Sequence, residues 1–430
     1  MNKKLYFILL FTIFFIAILL FSNSCSNKSN KTVYIKSYKV ILKNTNNDII
    51  NLANNNNEIF YYNTRHQKVF LKNVISDDKG RIRKQTISIP KNVKKIYFNH
   101  WLSNKKLGTI IDKNGKKVKV SSNVDISDNT ISYNNKINLV NNAHKTYLYA
   151  NTWNIYQNLL NDQKNAVNYT ISELKKNKNI YFKKIYFKPI KIMCNFNDKN
   201  SGALTTCTHS QGILKKNEKY IIVNLKNNDS LVDSLKVYLS HEWAHWNMYQ
   251  SIGKKGMTVS SYKTHLSYNN NQNVSYKEGW ALFQANRSTW GYNMNTKLDT
   301  TVQTSNFKNH KFGNKQKLFG KSTNATVYNV LRDFYDLENI EEGKNDQYNI
   351  AEDVFNNHSY TNKQKEQLSN GLLFLAMFNS KATTLEKLIF YLDKNFVNDK
   401  TSFKNVLKIN GLNENGQFTL DKNNHSINNH

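Results

Sequence analysis

The sequence predicts an α+β chain. A β-sandwich-like domain over residues 34–124 precedes a domain over 140–410 that mixes a sheet with helices and ends in a helical C-terminal part. Three observations carry this. Short runs alternate apolar with polar residues between turn signals up to about Val124. A long stretch from Ala143 has helical period, and an apolar strand-like run stands directly before an amphipathic helix near residue 240. A chain of 430 residues is too long for one ordinary core, so two domains are expected.

The first residues read as an address. "MNKK" is a basic n-region, Leu5 to Phe21 is continuously apolar, and "SNSC" ends at Cys25. Small residues before a cysteine resemble the lipobox of bacterial lipoproteins, although Ser22 stands where leucine is usual. That resemblance implies a signal peptide over 1–25 and lipidation of Cys25. An uncleaved anchor is the alternative, because the run is at the short limit of a spanning helix. Either way the chain is expected on the cell membrane, lipid-anchored and facing the extracytoplasmic side, with residues 26–33 as a polar tether.

Lys and Arg number 61 against 30 Asp and Glu, a net charge of +31. Such a surplus attracts lipid head groups, cell-wall polymers or acidic proteins. Lys, Asn, Tyr and Ile also dominate everywhere, as codon bias in an A+T-rich genome would produce. No compact basic motif of a nucleic-acid module occurs, so no specific nucleic-acid partner is expected. The oligomeric state is not legible.

From Val33, "TVYIKSYKVILKN", "EIFYYN", "KVFLKNV", "RKQTISIP", "KKIYFNHWL", "GTIID" and "KKVKVSS" read as strands, with "DDKG" and "DKNG" as turns. They suggest a small sandwich with a spacing or binding role. "DISDNTISYNNKINLVNN" reads as a linker. Strands are then expected in "NIYFKKIYFKPIKIMCNF", "GALTTCTH" and "KYIIVNLKN". Cys194 and Cys207 flank an apparent hairpin loop. An oxidising compartment permits a disulfide there, worth on the order of 3 kcal/mol; two free thiols or metal-binding cysteines are the alternatives.

The next segment runs "NDSLVDSLKVYLSHEWAHWNMYQSIGKKG". Asp229 or Ser230 caps its start and Gly253 ends it. Leu231, Leu235 and Leu239 form one ridge, and His241 and His245 continue a neighbouring one. Positions i and i+4 share a helix face, so both imidazoles can aim at one metal ion, with Glu242 beside them as a general base. This H-E-x-x-H arrangement needs a third ligand. Met248 and Ser251 stand where the HExxHxxGxxH pattern has glycine and histidine, which excludes that class. Downstream, "SYKEGWALFQANRSTWGYN" offers Glu278 at the start of a helical run.

"HEWAH" followed by "EGWALF" resembles secreted bacterial zinc metallopeptidases of the gluzincin type, which carry HEYGH and EGWADF. "ATVYNVLRDFYD" at 325–336 is similar to a helix found next in that family. The resemblance covers roughly residues 180–360. It implies a zincin-like domain holding one Zn²⁺ per chain on His241, His245 and Glu278. It implies a membrane-tethered metalloendopeptidase acting on peptide or protein substrates, with Glu242 as the base. Ala244 replaces a glycine of the family motif. Leu282 replaces the acid that orients a ligand histidine; Asp333 and Asp336 are candidate substitutes. Tyr262, His265 and Tyr276 are candidate oxyanion donors. The competing reading is a binding or adhesin lipoprotein with a degenerate, inactive peptidase domain; a peptidoglycan amidase shares the chemistry but uses other ligand motifs. The tail from 411 to 430 reads as disordered.

Overall fold

The computed structural model describes residues 29–43, 49–131, 136–138, 143–196, 202–206, 220–225, 231–257, 272–288, 311–312, 316–317, 324–335, 337, 348–356 and 359–417. The leader with Cys25, and the capping residues Asp229 and Ser230, lie outside them. The chain is mixed α+β, with a sheet-rich N-terminal region and a helical C-terminal part. It divides into two compact units: residues 1–101 with 119–138, and residues 102–118 with 139–430.

In chain order the first strands are β1 (Asn30–Ile35), β2 (Tyr38–Lys39), β3 (Ile41–Lys43), β4 (Ile49–Asn51), β5 (Asn56–Tyr62), β6 (Lys68–Ile75), β7 (Arg81–Ile82), β8 (Gln85–Pro90) and β9 (Lys95–Trp101). The chain then leaves the first unit for β10 (Ser103–Asn104) and β11 (Gly108–Asp112). It returns as β12 (Lys119–Asp125), β13 (Thr130–Ile131) and β14 (Lys136–Asn138). One four-stranded sheet has the order β12-β9-β5-β6. Opposite it, the β1–β3 segment pairs antiparallel with β8, β7 and β4, and parallel with β13 and β14. The alternation read from the sequence sends Val33, Ile35, Val40, Leu42, Ile59, Ile96 and Phe98 into the core. Tyr38 of one layer meets Phe98 of the other edge to face at 5.8 Å. Each such burial contributes about 1.5–3 kcal/mol.

This corrects two boundaries. The stretch expected to be a linker supplies β13 and β14, so the first unit runs to Asn138 and not to 124. Their pairing is parallel and non-local, which leaves no alternation or hairpin signal in so short a segment. "GTIID", expected in the first domain, is β11 of the second unit, where it pairs parallel with a later strand.

The first unit also buries a polar cluster. His100 is fully buried, with Nδ1 2.6 Å from Asn57 Oδ1 and Nε2 3.0 Å from Ser122 Oγ. Asn57 Oδ1 can only accept, so Nδ1 carries the proton and Nε2 accepts from the serine. Burial pushes the imidazole down to about 3, so it is neutral and structural.

In the second unit, α1 (Ala143–Lys178) leads to β15 (Ile190–Phe196), β16 (Gly202–Thr206) and β17 (Tyr220–Leu225). Residues 179–189, expected as strand, have no regular structure before β15. Pro189 there lacks the N–H that a ladder needs. The sheet order is β10-β11-β15-β17-β16, with β11, β15 and β17 parallel and β16 antiparallel at the edge. Gly108 makes the β11–β15 approach possible, since at φ 153° a Cβ there would sit 2.3 Å from the Ile190 carbonyl oxygen. The helices that follow are α2 (Leu231–Met257), α3 (Gln272–Ser288), α4 (Asn324–Tyr335), α5 (Ile350–Phe355), α6 (Asn362–Ser380), α7 (Leu385–Asn395) and α8 (Lys400–Ile409). Helix α2 lies against β16 and β17 and packs on α1 and α3. Gly253, at φ 69°, breaks it where the sequence places its end. The tail expected to be disordered from 411 begins as an ordered turn: Leu412 is buried and Gln417 donates to Glu386 of α7. Residues 418–430 lie outside the described ones.

Candidate metal centre

Helix α2 is fixed on its apolar side. Leu235, Leu239 and Met248 are fully buried, and Trp243 stacks on Phe187, which meets Phe374 of α6. The Ser251 hydroxyl donates to the carbonyls of Met377 and Phe378 at the end of α6. These contacts leave His241 at the border, with 19% of its side chain exposed, and bury His245 and Glu242.

Glu278 comes from α3 and is buried. Gly279, beside it, lets α4 approach: a Cβ there would lie 2.4 Å from Val327 Cβ and 2.6 Å from the Asn324 carbonyl oxygen. The three sequence motifs thus meet in space as α2, α3 and α4, stacked in that order.

His241 Nε2 lies 3.1 Å from His245 Nε2 and 3.2 Å from Glu278 Oε2. His245 Nε2 lies 3.4 Å from the same carboxylate oxygen. Two imidazole nitrogens and a carboxylate oxygen therefore converge, the only such group of potential metal ligands among the described residues. The residues fit a metal. Zinc bonds of about 2.05 Å at tetrahedral angles separate ligand atoms by about 3.3 Å, and nitrogen with carboxylate oxygen is a zinc donor set. Burial works against charge on His245. The Glu278 carboxylate outweighs it by charge and hydrogen bonding and holds the imidazole above its ordinary 6.5, while Lys277 opposes the shift.

The other expected residues divide. Tyr262, His265 and Asp336 lie outside the described residues. Tyr276 is described: it is fully buried, and two residues along α3 turn it about 200° from Glu278. Asp333 is buried and accepts from the Asn410 side chain at the end of α8, a bond that ties helix ends together. Leu282 is half-buried where an acid was sought, and His245 Nδ1 is buried with no hydrogen-bond partner among the described residues.

Cys194 is buried in β15 as a free thiol, with Sγ 3.7 Å from the Thr152 hydroxyl. Its expected partner Cys207 lies outside the described residues. β17 stands between β15 and β16 in the sheet, so these two strands do not pair as a hairpin.

Sequence reasoning also missed Lys277 and Gly279. Lys277 is buried beside the site, and one lysine in a lysine-rich chain gives no signal. Gly279 lies within the EGWALF motif, and its role depends on α4.

No family model matches the chain, and no curated protein does. Among solved structures the chain is similar to a 9R-lipoxygenase from Cyanothece at 9% identity, over 88% of this chain and 66% of that one. Its TM-score of 0.16 carries no argument about fold or function. No described helix is long and apolar enough to cross a membrane.

Proposed function

We propose that the chain is a zinc metalloendopeptidase, tethered to the extracytoplasmic face of the cell membrane through a lipidated Cys25. The observation that carries this reading is the convergence of His241, His245 and Glu278 from two helices, with Glu242 on the same helical turn as the histidines. Supporting it is the arrangement of the sheet. An antiparallel edge strand, β16, lies against the site helix, and an extended peptide can add to such an edge. The two-layered first unit is read as a sandwich that spaces or binds.

A zinc ion held there would supply Lewis acidity for peptide hydrolysis. The three side chains hold and orient that group. Glu242 would accept a proton from water as it adds to the peptide carbonyl and would pass it to the leaving amine. Burial of Glu242, His245 and Glu278 keeps bulk water from competing for these protons. The substrate is a peptide or protein; no specific nucleic acid is involved.

A second reading, a binding lipoprotein with a degenerate peptidase domain, is favoured by Leu282 and by a His245 Nδ1 that has no hydrogen-bond partner among the described residues. One comparison separates them. The wild type and Glu242→Gln should each bind one zinc per chain, while hydrolysis of a peptide library falls at least about 10²-fold in the variant. Equal hydrolysis by both rejects Glu242 as the base. No hydrolysis by either, with zinc bound to both, establishes the degenerate reading.

A further inference from the structure

The outward face of the four-stranded sheet in the first unit has a composition that packing within that unit does not explain. The inward residues of β5 and β9, Ile59, Phe98 and His100, are buried. On the other face, register aligns Phe70, Phe60, Tyr97 and Asn123 in one row across all four strands. Phe60 stacks on Tyr97 with centroids 5.6 Å apart, and Tyr62 meets Tyr97 edge to face at 4.9 Å. Phe70 is 54% exposed and Tyr62 44% exposed. Aromatic rings are thus held rigid at the base of the row and presented to solvent at its rim.

A polar stripe runs beside this row. Lys68 Nζ donates to Glu58 Oε1 at 2.7 Å, and Asn99 Nδ2 donates to Glu58 Oε2 at 2.6 Å. Ser121 Oγ donates to Asn99 Oδ1 at 2.8 Å. This chain crosses four strands without a break and fixes each rotamer. Lys68 also sits 4.4 Å from the Phe60 ring centroid, and Lys119 lies 5.3 Å from that of Trp101. Lys95, paired with Asp125, completes a face on which lysines outnumber carboxylates.

We propose that this face binds an anionic polysaccharide chain. Exposed ring faces take the apolar C–H faces of pyranose rings, and the neighbouring amide, hydroxyl and carboxylate groups bond sugar hydroxyls. Adjacent strands lie about 4.8 Å apart, comparable with one sugar ring, so successive strands can meet successive sugars. The sign of the charge selects acidic sugars, since both the face and the chain, at +31, are positive. A lipid surface fits less well, because the fixed polar stripe divides the apolar area. This inference rests on the first unit alone and is independent of peptidase activity.

Affinity electrophoresis of the full chain through gels containing polygalacturonate, heparin or a neutral glucan tests it. Retardation is expected in one or both acidic polymers and not in the glucan. Tyr62 and Phe70 are exposed, so a Tyr62→Ala/Phe70→Ala variant should keep its circular dichroism while losing at least tenfold in affinity. Lys119→Gln should weaken binding about threefold and reduce its salt dependence. Absence of retardation in both acidic polymers overturns the proposal, as does equal retardation in the glucan. Retention of affinity in the double aromatic variant also overturns it, leaving only nonspecific attraction of a basic chain. So does tighter capture by anionic phospholipid vesicles that the same variant abolishes.

Discussion

His245 and His100 show how position decides what a histidine does. His245 has a carboxylate beside it and its pKa is raised above 6.5. Below about 6.5 this proton stabilises the metal-free fold, and that contribution is lost as pH rises through the folded value. Zinc must displace the same proton. Affinity measured by competition with a chromophoric chelator should therefore climb with pH above 6.5, and His241→Ala or His245→Ala should lose stoichiometric zinc at every pH. His100 behaves in the opposite sense. Its folded value is pushed down to about 3 by burial, so its contribution is complete above 6.5 and is lost as pH falls toward 3. The loss is about 1.4 kcal/mol for each pH unit in that window. Urea midpoints at pH 7 and pH 4 should show it, and His100→Gln should flatten the slope. Cys194 belongs at this scale too. Its thiol is buried and pushed up to about 12 by burial, with the Thr152 hydrogen bond working against the shift, so it should resist alkylation in the native chain and react after denaturation.

Helices α2, α3 and α4 make the site a matter of helix separation. Glu278 reaches the histidines because α3 is seated between α2 and α4, and Gly279 sets the α3–α4 distance. Gly279→Ala puts a methyl group into Val327 and the Asn324 carbonyl. Overpacking of this kind costs about 1–3 kcal/mol, so the melting temperature should fall and zinc affinity should weaken together. Adding Val327→Ala should restore only a small part of both, because it removes the Cγ1 contact at 2.7 Å while the Cβ of residue 327, at 2.4 Å, and the Asn324 carbonyl, at 2.6 Å, remain. The HExxH turn, the Gly253 stop and the alternating strands were legible because each is a local pattern. The positions of Tyr276, Asp333 and Cys194 were not, since each depends on which neighbouring element arrives.

At the scale of the molecule, the 102–118 excursion binds the chain order to the fold. β11 covers the edge of β15 with parallel hydrogen bonds, so the second unit is incomplete without residues that precede β12 in sequence. A fragment beginning at Leu139 exposes that edge. It should melt at a lower temperature than the same unit in the full chain and should aggregate, because an unpaired strand edge recruits other chains. Melting by calorimetry and size by light scattering check both expectations; a fragment as stable and monodisperse as the full chain would show that β11 is dispensable.

The sequence by itself determined the α+β order, the period of each main element and the pairing of His241 with His245 on one helical face. These follow from side-chain alternation and helical pitch, which act over a few residues. Tertiary structure decided the rest. It brought Glu278 within 3.2 Å of His241 across 37 positions, moved β11 into the second unit, closed the first unit with β13 and β14, and placed β17 between β15 and β16. Parallel pairing and helix stacking join residues whose separation along the chain leaves no periodic trace, so their partners are chosen by the packing of the whole unit.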